Sequence, residues 1–239
     1  MAVDVEVPLP DGARMRAALA VPVGTGPRPG VVVLHEVFGL NDDIRAKADR
    51  FAGEGYAAVA PDLFSRGNRL ACLARAMREV ALGRPGPVTA DVEASRRWLA
   101  DHDDVDAGRT AVVGFCMGGG FALAYAATAP VGLRAAGVFY GSVPRRRDRL
   151  AGVCPVVASY GGRDLGLRGH ARRLERHLTA LGVPHDVKTY PDVGHSFMTP
   201  GSEGNLVEKL LFFPVHPGYG EAEAADGWRR LFAFLREHV

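Results

Sequence analysis

The chain has 239 residues, of which 47% are hydrophobic and 23% charged, and its formal net charge is +2. This composition is typical of a globular protein with a large core, and the small net charge argues against binding to nucleic acid or to an acidic membrane surface. With three cysteines, no CxxC pair, no long apolar stretch and no signal-like N-terminus, the sequence predicts a cytoplasmic protein without disulfides or membrane segments.

Stretches of strand and helix character alternate along the chain. Strands are recognised by alternating or continuous β-branched runs, and helices by apolar residues at offsets of three and four. The predicted strands cover residues 3–9, 15–22, 30–36, 56–62, 110–115, 135–141, 154–161 and 185–191. The predicted helices cover residues 43–55, 69–82, 89–101, 117–128, 167–181 and 222–238, the first of them capped by Asn41 or Asp42.

This alternation predicts the α/β class, with an open, mostly parallel sheet and helices on both faces. The first two strands, joined by a Pro-Asp-Gly turn, predict an antiparallel hairpin at one edge of the sheet. No linker or internal repeat interrupts the pattern, so residues 1–239 are expected to form a single domain. Residues 199–219 carry little pattern, which in a compact domain suggests a functional loop or lid.

Cys116 stands in a glycine-rich turn between a predicted strand and a predicted helix. Gly114 and Gly118 give the pattern G-x-C-x-G-G, which is a nucleophile elbow with cysteine in place of serine. At the start of a helix the dipole favours a thiolate, and the backbone N–H of Met117 can stabilise an oxyanion. A structural turn that happens to contain a cysteine remains the alternative.

A thiol nucleophile needs a base and a carboxylate that orients the base. Asp164 and His195 each follow a predicted strand, and the chain order of nucleophile, acid and histidine is that of the α/β-hydrolases. Asp192 is a weaker candidate for the acid. The stretch HEVFG begins like a zinc-binding helix but has Gly39 where the second histidine belongs, so no metal site is predicted.

Five motifs, taken together, resemble those of the dienelactone hydrolase family, which has the α/β-hydrolase fold. They are HEVFGLN, APDLFSR, GFCMGGG, GGRD and GHSF, and they run in order between residues 35 and 197. The resemblance implies a triad of Cys116, His195 and Asp164. It also implies hydrolysis of a small ester or lactone that requires no cofactor.

The resemblance implies further roles around the triad. Glu36 is expected to contact the resting thiol until substrate moves it aside, although a strand-end residue that caps the next turn is the alternative. The backbone N–H of Val37 is expected to be the second oxyanion donor. Arg66 matches an arginine that binds a substrate carboxylate, with a surface arginine as the alternative. A second such arginine is expected where this chain has Thr199, while Ser196 can still donate one hydrogen bond to substrate.

The sequence therefore predicts a cysteine-dependent hydrolase of esters or lactones that acts through a thioester, as a monomer or small homo-oligomer. Two alternatives stay open. One is a regulatory thiol protein that senses an oxidant or binds a ligand on the same scaffold. The other is a hydrolase of thioesters or other activated acyl groups.

Overall fold

The computed structural model describes residues 1–24, 26–82, 85–202 and 218–239, and only the backbone of residues 80–82. Within these residues, eight strands form one sheet in the order β1-β2-β4-β3-β5-β6-β7-β8. The strands are β1 Val3–Pro8, β2 Arg14–Ala20, β3 Arg28–Leu34, β4 Ala57–Pro61, β5 Val105–Phe115, β6 Leu133–Phe139, β7 Val156–Gly161 and β8 His185–Tyr190. Most of the predicted loop at 199–219 lies outside the described residues.

The direction of the strands confirms the predicted architecture. β1 and β2 form an antiparallel hairpin, and β2 pairs antiparallel with β4. All other neighbouring strands are parallel, so the ends of β3, β5, β6, β7 and β8 point to one edge of the sheet. In open sheets of this kind, ligands bind beyond the carboxyl ends of the strands.

The helices lie close to their predicted positions. They are α1 Asp42–Gly53, α2 Arg69–Leu82, α3 Pro87–Ala100, α4 Met117–Ala126, α5 His170–Leu181 and α6 Glu221–His238. The Asn41 side chain caps α1 by accepting a hydrogen bond from the N–H of Ile44 at 3.0 Å, as predicted. The prediction for α5 began three residues too early, because residues 165–167 form a separate 3₁₀ turn and Gly169 has a φ of +82°.

Successive residues of the buried strands face opposite layers of helices. Val32 and Leu34 of β3 belong to one apolar cluster, which includes residues of α3, α4 and α5, whereas Val31 and Val33 belong to a second cluster with residues of α1 and α6. All four valine and leucine side chains are fully buried. Burial on both faces explains why β3 is a continuous apolar run, and it makes the central strands a firm base for the loops at their ends.

Candidate active site

Cys116 lies in a strained turn between β5 and α4. Its φ of 55° and ψ of −118° lie in a region that residues with a side chain rarely adopt. A Cβ atom on Gly114 would lie 2.0 Å from the carbonyl oxygen of Gly118, and one on Gly118 would lie 2.4 Å from that of Leu34. The two glycines therefore allow the turn to close against the end of β3, with Cys116 half-buried at its tip.

Asp164 and His195 are brought together from the ends of β7 and β8. The distance from His195 Nδ1 to Asp164 Oδ2 is 2.6 Å, and the Asp164 side chain is only 1% exposed. The other carboxylate oxygen accepts a hydrogen bond from the N–H of Leu167, which fixes the carboxylate. The side chain of Asp192, the weaker candidate for the acid, is 78% exposed, and its Oδ1 lies 3.8 Å from Nη2 of Arg163.

The His195 ring is also hydrogen-bonded to the Cys116 side chain. Burial favours the neutral ring, but the hydrogen bonds to Asp164 and Cys116 outweigh burial and raise the pKa of His195 to about 10. The ring of Tyr140 packs against this imidazole with 4.9 Å between ring centroids. The raised pKa means that His195 holds its ring proton more strongly than a free histidine does.

His35 orients the peptide bond between Glu36 and Val37. The N–H of Leu63 points at His35 Nε2 over 3.1 Å, so Nε2 must be an acceptor and the proton must be on Nδ1. His35 Nδ1 then donates to the Glu36 carbonyl at 2.6 Å. In a trans peptide the next N–H points the opposite way, so the N–H of Val37 is directed away from the His35 ring. Sequence reasoning did not give His35 this role.

The Glu36 side chain lies in a buried polar cluster. Its Oε1 accepts a hydrogen bond from the hydroxyl of Thr199 at 3.2 Å, and its carboxylate also contacts the hydroxyl of Tyr140. Lys47 of α1 donates to the same Thr199 oxygen at 3.2 Å. Both Glu36 and Lys47 are about 4% exposed. Thr199 is thus brought to the site, while Tyr140 and Lys47 are members that the sequence did not point to.

A comparison with known proteins identifies the family. Residues 15–239 match the model of the dienelactone hydrolase family. The chain belongs to the dienelactone hydrolase family. A Methylorubrum extorquens protein provisionally named carboxymethylenebutenolidase is 29% identical, with 98% of this chain and 80% of that protein aligned. A Salmonella typhimurium protein of the same provisional name is 31% identical over 89% of this chain and 78% of that protein.

Solved structures agree with this assignment. A Klebsiella pneumoniae protein, provisionally titled a dienelactone hydrolase, superposes with a TM-score of 0.78 at 28% identity, covering 99% of this chain and 98% of that one. The chain is accordingly a dienelactone hydrolase-like enzyme of the α/β-hydrolase fold and a carboxylic ester hydrolase. Its substrate class is a small ester or lactone.

Arg66, which was expected to bind a substrate carboxylate, is paired in this dienelactone hydrolase homologue with two carboxylates of the protein itself. Its guanidinium is bonded to Asp91 at 2.5 Å and also to Asp11, and the side chain is only 19% exposed. A substrate carboxylate would have to displace one of these ion pairs, so binding through Arg66 lacks geometric support. Arg69 contacts the residue that follows Val37, a predicted oxyanion donor, because its guanidinium donates to the carbonyl of Phe38 at 2.6 Å.

Ser196 contributes its backbone to the loop that carries the histidine. Its φ is 58°, its exposure is 7%, and its carbonyl accepts hydrogen bonds from the N–H of Thr199 and the hydroxyl of Ser202. This tight turn places Thr199 beside Glu36.

Across the described residues, no group of three or more His, Cys, Asp or Glu side chains could hold a metal ion. In the same residues, no helix is both long and apolar enough to cross a membrane.

Proposed function

We propose that this enzyme is a cysteine hydrolase that cleaves small esters or lactones through a thioester on Cys116. The observation that carries the proposal is the chain of hydrogen bonds from Asp164 to His195 to Cys116 at the ends of three strands. Asp164 occupies Nδ1 of the histidine, which leaves Nε2 for the thiol. The family match covers residues 15–239, which supports one catalytic domain.

In the first half of the proposed reaction, the Cys116 thiolate attacks the acyl carbon. The carbonyl electron pair moves to oxygen, where the N–H groups of Val37 and Met117 are the proposed donors to the oxyanion. Collapse restores the carbonyl and breaks the bond to the leaving oxygen. That oxygen takes its proton from the His195 imidazolium, and the acyl group remains on sulfur as a thioester.

In the second half, neutral His195 accepts a proton from water as the water oxygen attacks the thioester. Collapse expels the Cys116 thiolate and releases the carboxylic acid, and the thiolate–imidazolium pair is restored. Asp164 stays ionised and stabilises the imidazolium in both halves. No step needs a cofactor, because the nucleophile, the base and the oxyanion donors all belong to the chain.

For the substrate, we propose an ester or lactone whose carboxylate, where present, is bound by Arg69. The guanidinium of Arg69 has five N–H donors. One of them donates to the carbonyl of Phe38, which follows Val37 in the chain. Arg66 is the competing assignment. A panel of lactones and small esters, each with and without a carboxylate, separates the two. Arg69→Ala should lower kcat/KM selectively for the carboxylated compounds, whereas Arg66→Ala should affect both kinds equally.

The nucleophile is tested by comparing the wild type with Cys116→Ala and Cys116→Ser. We expect Cys116→Ala to lower kcat for an aryl ester by about 10⁴-fold or more while circular dichroism and urea unfolding stay unchanged. Intact-protein mass spectrometry during turnover should show one acyl group on Cys116. Full activity in Cys116→Ala would refute the proposal, and a single stoichiometric burst in the wild type would favour the regulatory thiol protein.

A further inference from the structure

A directional chain of hydrogen bonds links α1 to Glu36. An ammonium group can only donate, so Lys47 donates to Thr199 Oγ1, and the single hydroxyl proton of Thr199 is left for Glu36 Oε1. The chain of hydrogen bonds therefore ends on a carboxyl oxygen of Glu36 that accepts. The Tyr140 hydroxyl, 3.3 Å from Thr199 Oγ1, also contacts Glu36.

Lys47 is placed unusually for a lysine in the middle of a helix. Its side chain is 4% exposed, it forms an ion pair with Asp43 one turn earlier, and its ammonium lies 4.8 Å from the ring centroid of Phe115. Phe115 immediately precedes Cys116. Burying an ammonium costs several kcal/mol, roughly, unless it is compensated by partners. Lys47 thus brings a positive charge next to Phe115, the residue that precedes Cys116.

We propose that Lys47 is a positioning residue that, through Thr199, keeps the Glu36 carboxyl group bonded to the Thr199 hydroxyl and off the Cys116 thiol. The thiol then stays paired with His195 before any substrate arrives. This inference rests on the proposed function, since it takes Cys116 as the nucleophile. It differs from the expectation that Glu36 contacts the resting thiol, because here the carboxylate is bonded to Thr199 and Tyr140.

The charged and titratable groups around the thiol come from every neighbouring element. They are His195 after β8, Tyr140 after β6, Glu36 after β3, and Lys47 with Asp43 on α1. Loss of the Lys47 charge or the Thr199 hydroxyl frees Glu36 to approach the sulfur. A carboxylate beside a thiol disfavours the thiolate, so the thiol would become less reactive near neutral pH.

The test is the rate at which iodoacetamide alkylates Cys116 in the full chain without substrate, across about pH 5 to 9, followed by peptide mass spectrometry. At neutral pH, Lys47→Met and Thr199→Val should slow alkylation by about tenfold, with the pH profile displaced to higher pH by about one unit. Thr199→Ser keeps the hydroxyl and should behave as the wild type does. Lys188→Met is the matched control, because Lys188 is exposed and paired with Asp226.

A second substitution separates positioning from a purely structural effect. Adding Glu36→Gln to Lys47→Met removes the competing carboxylate and should restore fast alkylation. Wild-type pH profiles in both Lys47→Met and Thr199→Val would overturn the proposal, as would slow alkylation that Glu36→Gln does not restore. Should Lys47→Met fail to fold, Thr199→Val and its Glu36→Gln double variant decide. Alkylation needs no turnover, so a protein that alkylates as expected but hydrolyses no ester refutes only the proposed function.

Discussion

Replacing His35 by glutamine should remove a specific pH dependence from the stability of the fold. The imidazole is fully buried, and its two hydrogen bonds, to the Glu36 carbonyl and from the Leu63 N–H, require the neutral ring. Burial lowers the pKa of His35 from its ordinary 6.5, against the opposing effects of the Glu36 carbonyl and Asp62. A proton on Nε2 would face the Leu63 N–H, with no acceptor for it.

The direction and size of this pH dependence follow from the difference in proton binding by His35 between the unfolded and folded chain. Below the ordinary histidine pKa, the unfolded chain takes up a proton that the folded chain refuses, so stability falls as the pH falls. Each pH unit in that window contributes about 1.4 kcal/mol. Between about pH 7.5 and about pH 5, His35 should therefore lower the stability of the folded state by at most about 2 kcal/mol, the limit reached when the buried ring stays neutral throughout.

Urea unfolding of the wild type and His35→Gln at these two pH values isolates this contribution. Other titrating groups cancel in the difference between the two proteins, and His238→Gln at the end of α6 is the matched control for replacing a histidine. Equal pH dependence in the wild type and His35→Gln would refute the reasoning.

Catalytic activity gives a second readout of the His35 hydrogen bond. His35→Leu cannot hold the Glu36 carbonyl and should lower kcat by up to about 10²-fold, whereas His35→Gln retains an amide donor.

Two further predictions concern the triad and the elbow. Asp164→Asn should lower kcat by about 10³- to 10⁴-fold, because the amide no longer stabilises the His195 imidazolium, and steady-state kinetics with an aryl ester measures the loss. Gly118→Ala should destabilise the fold by about 3 kcal/mol or more in urea unfolding, since the new Cβ would lie 2.4 Å from the Leu34 carbonyl. Gly53→Ala is the control, because nothing lies within 4 Å of its Cβ position.

The fold was predictable because its local and global signals agree. The run of residues 31–34 is buried on both faces of the sheet, and such a strand is recognisable from sequence alone. The error at α5 has a local cause. Leu167 fits the apolar spacing of the helix, but Asp164 caps a separate 3₁₀ turn and Gly169 adopts a positive φ before the helix begins. Periodicity alone cannot show such an interruption.

The triad candidates were predictable for a related reason. Parallel strands bring the residues that follow them to one edge of the sheet, so Asp164 and His195 were expected to lie near each other.

Ion pairs and hydrogen bonds between segments far apart in the sequence could not be predicted in this way. Arg66 is bonded to Asp11 of the β1–β2 turn and to Asp91 of α3, and no spacing in the sequence indicates either contact. Lys47 likewise has the sequence position of a solvated helix residue, yet the loop after His195 supplies its partner Thr199.

The proposed nucleophile is a cysteine, and this choice gives the positive charge of Lys47 a role that it would not have beside a serine. A serine nucleophile is neutral at rest, whereas a thiolate adds a negative charge to a site where Asp164 and Glu36 are already buried. In the proposed mechanism, the His195 imidazolium, bonded to Asp164, compensates part of this charge, and Lys47, linked to Glu36 through Thr199, compensates another part. Cys116→Ser should therefore lose the dependence on Lys47: adding Lys47→Met should slow ester hydrolysis in the wild type but leave the low kcat of Cys116→Ser nearly unchanged. An equal slowing in both backgrounds would mean that Lys47 acts on the fold of the site and not on the charge of the nucleophile.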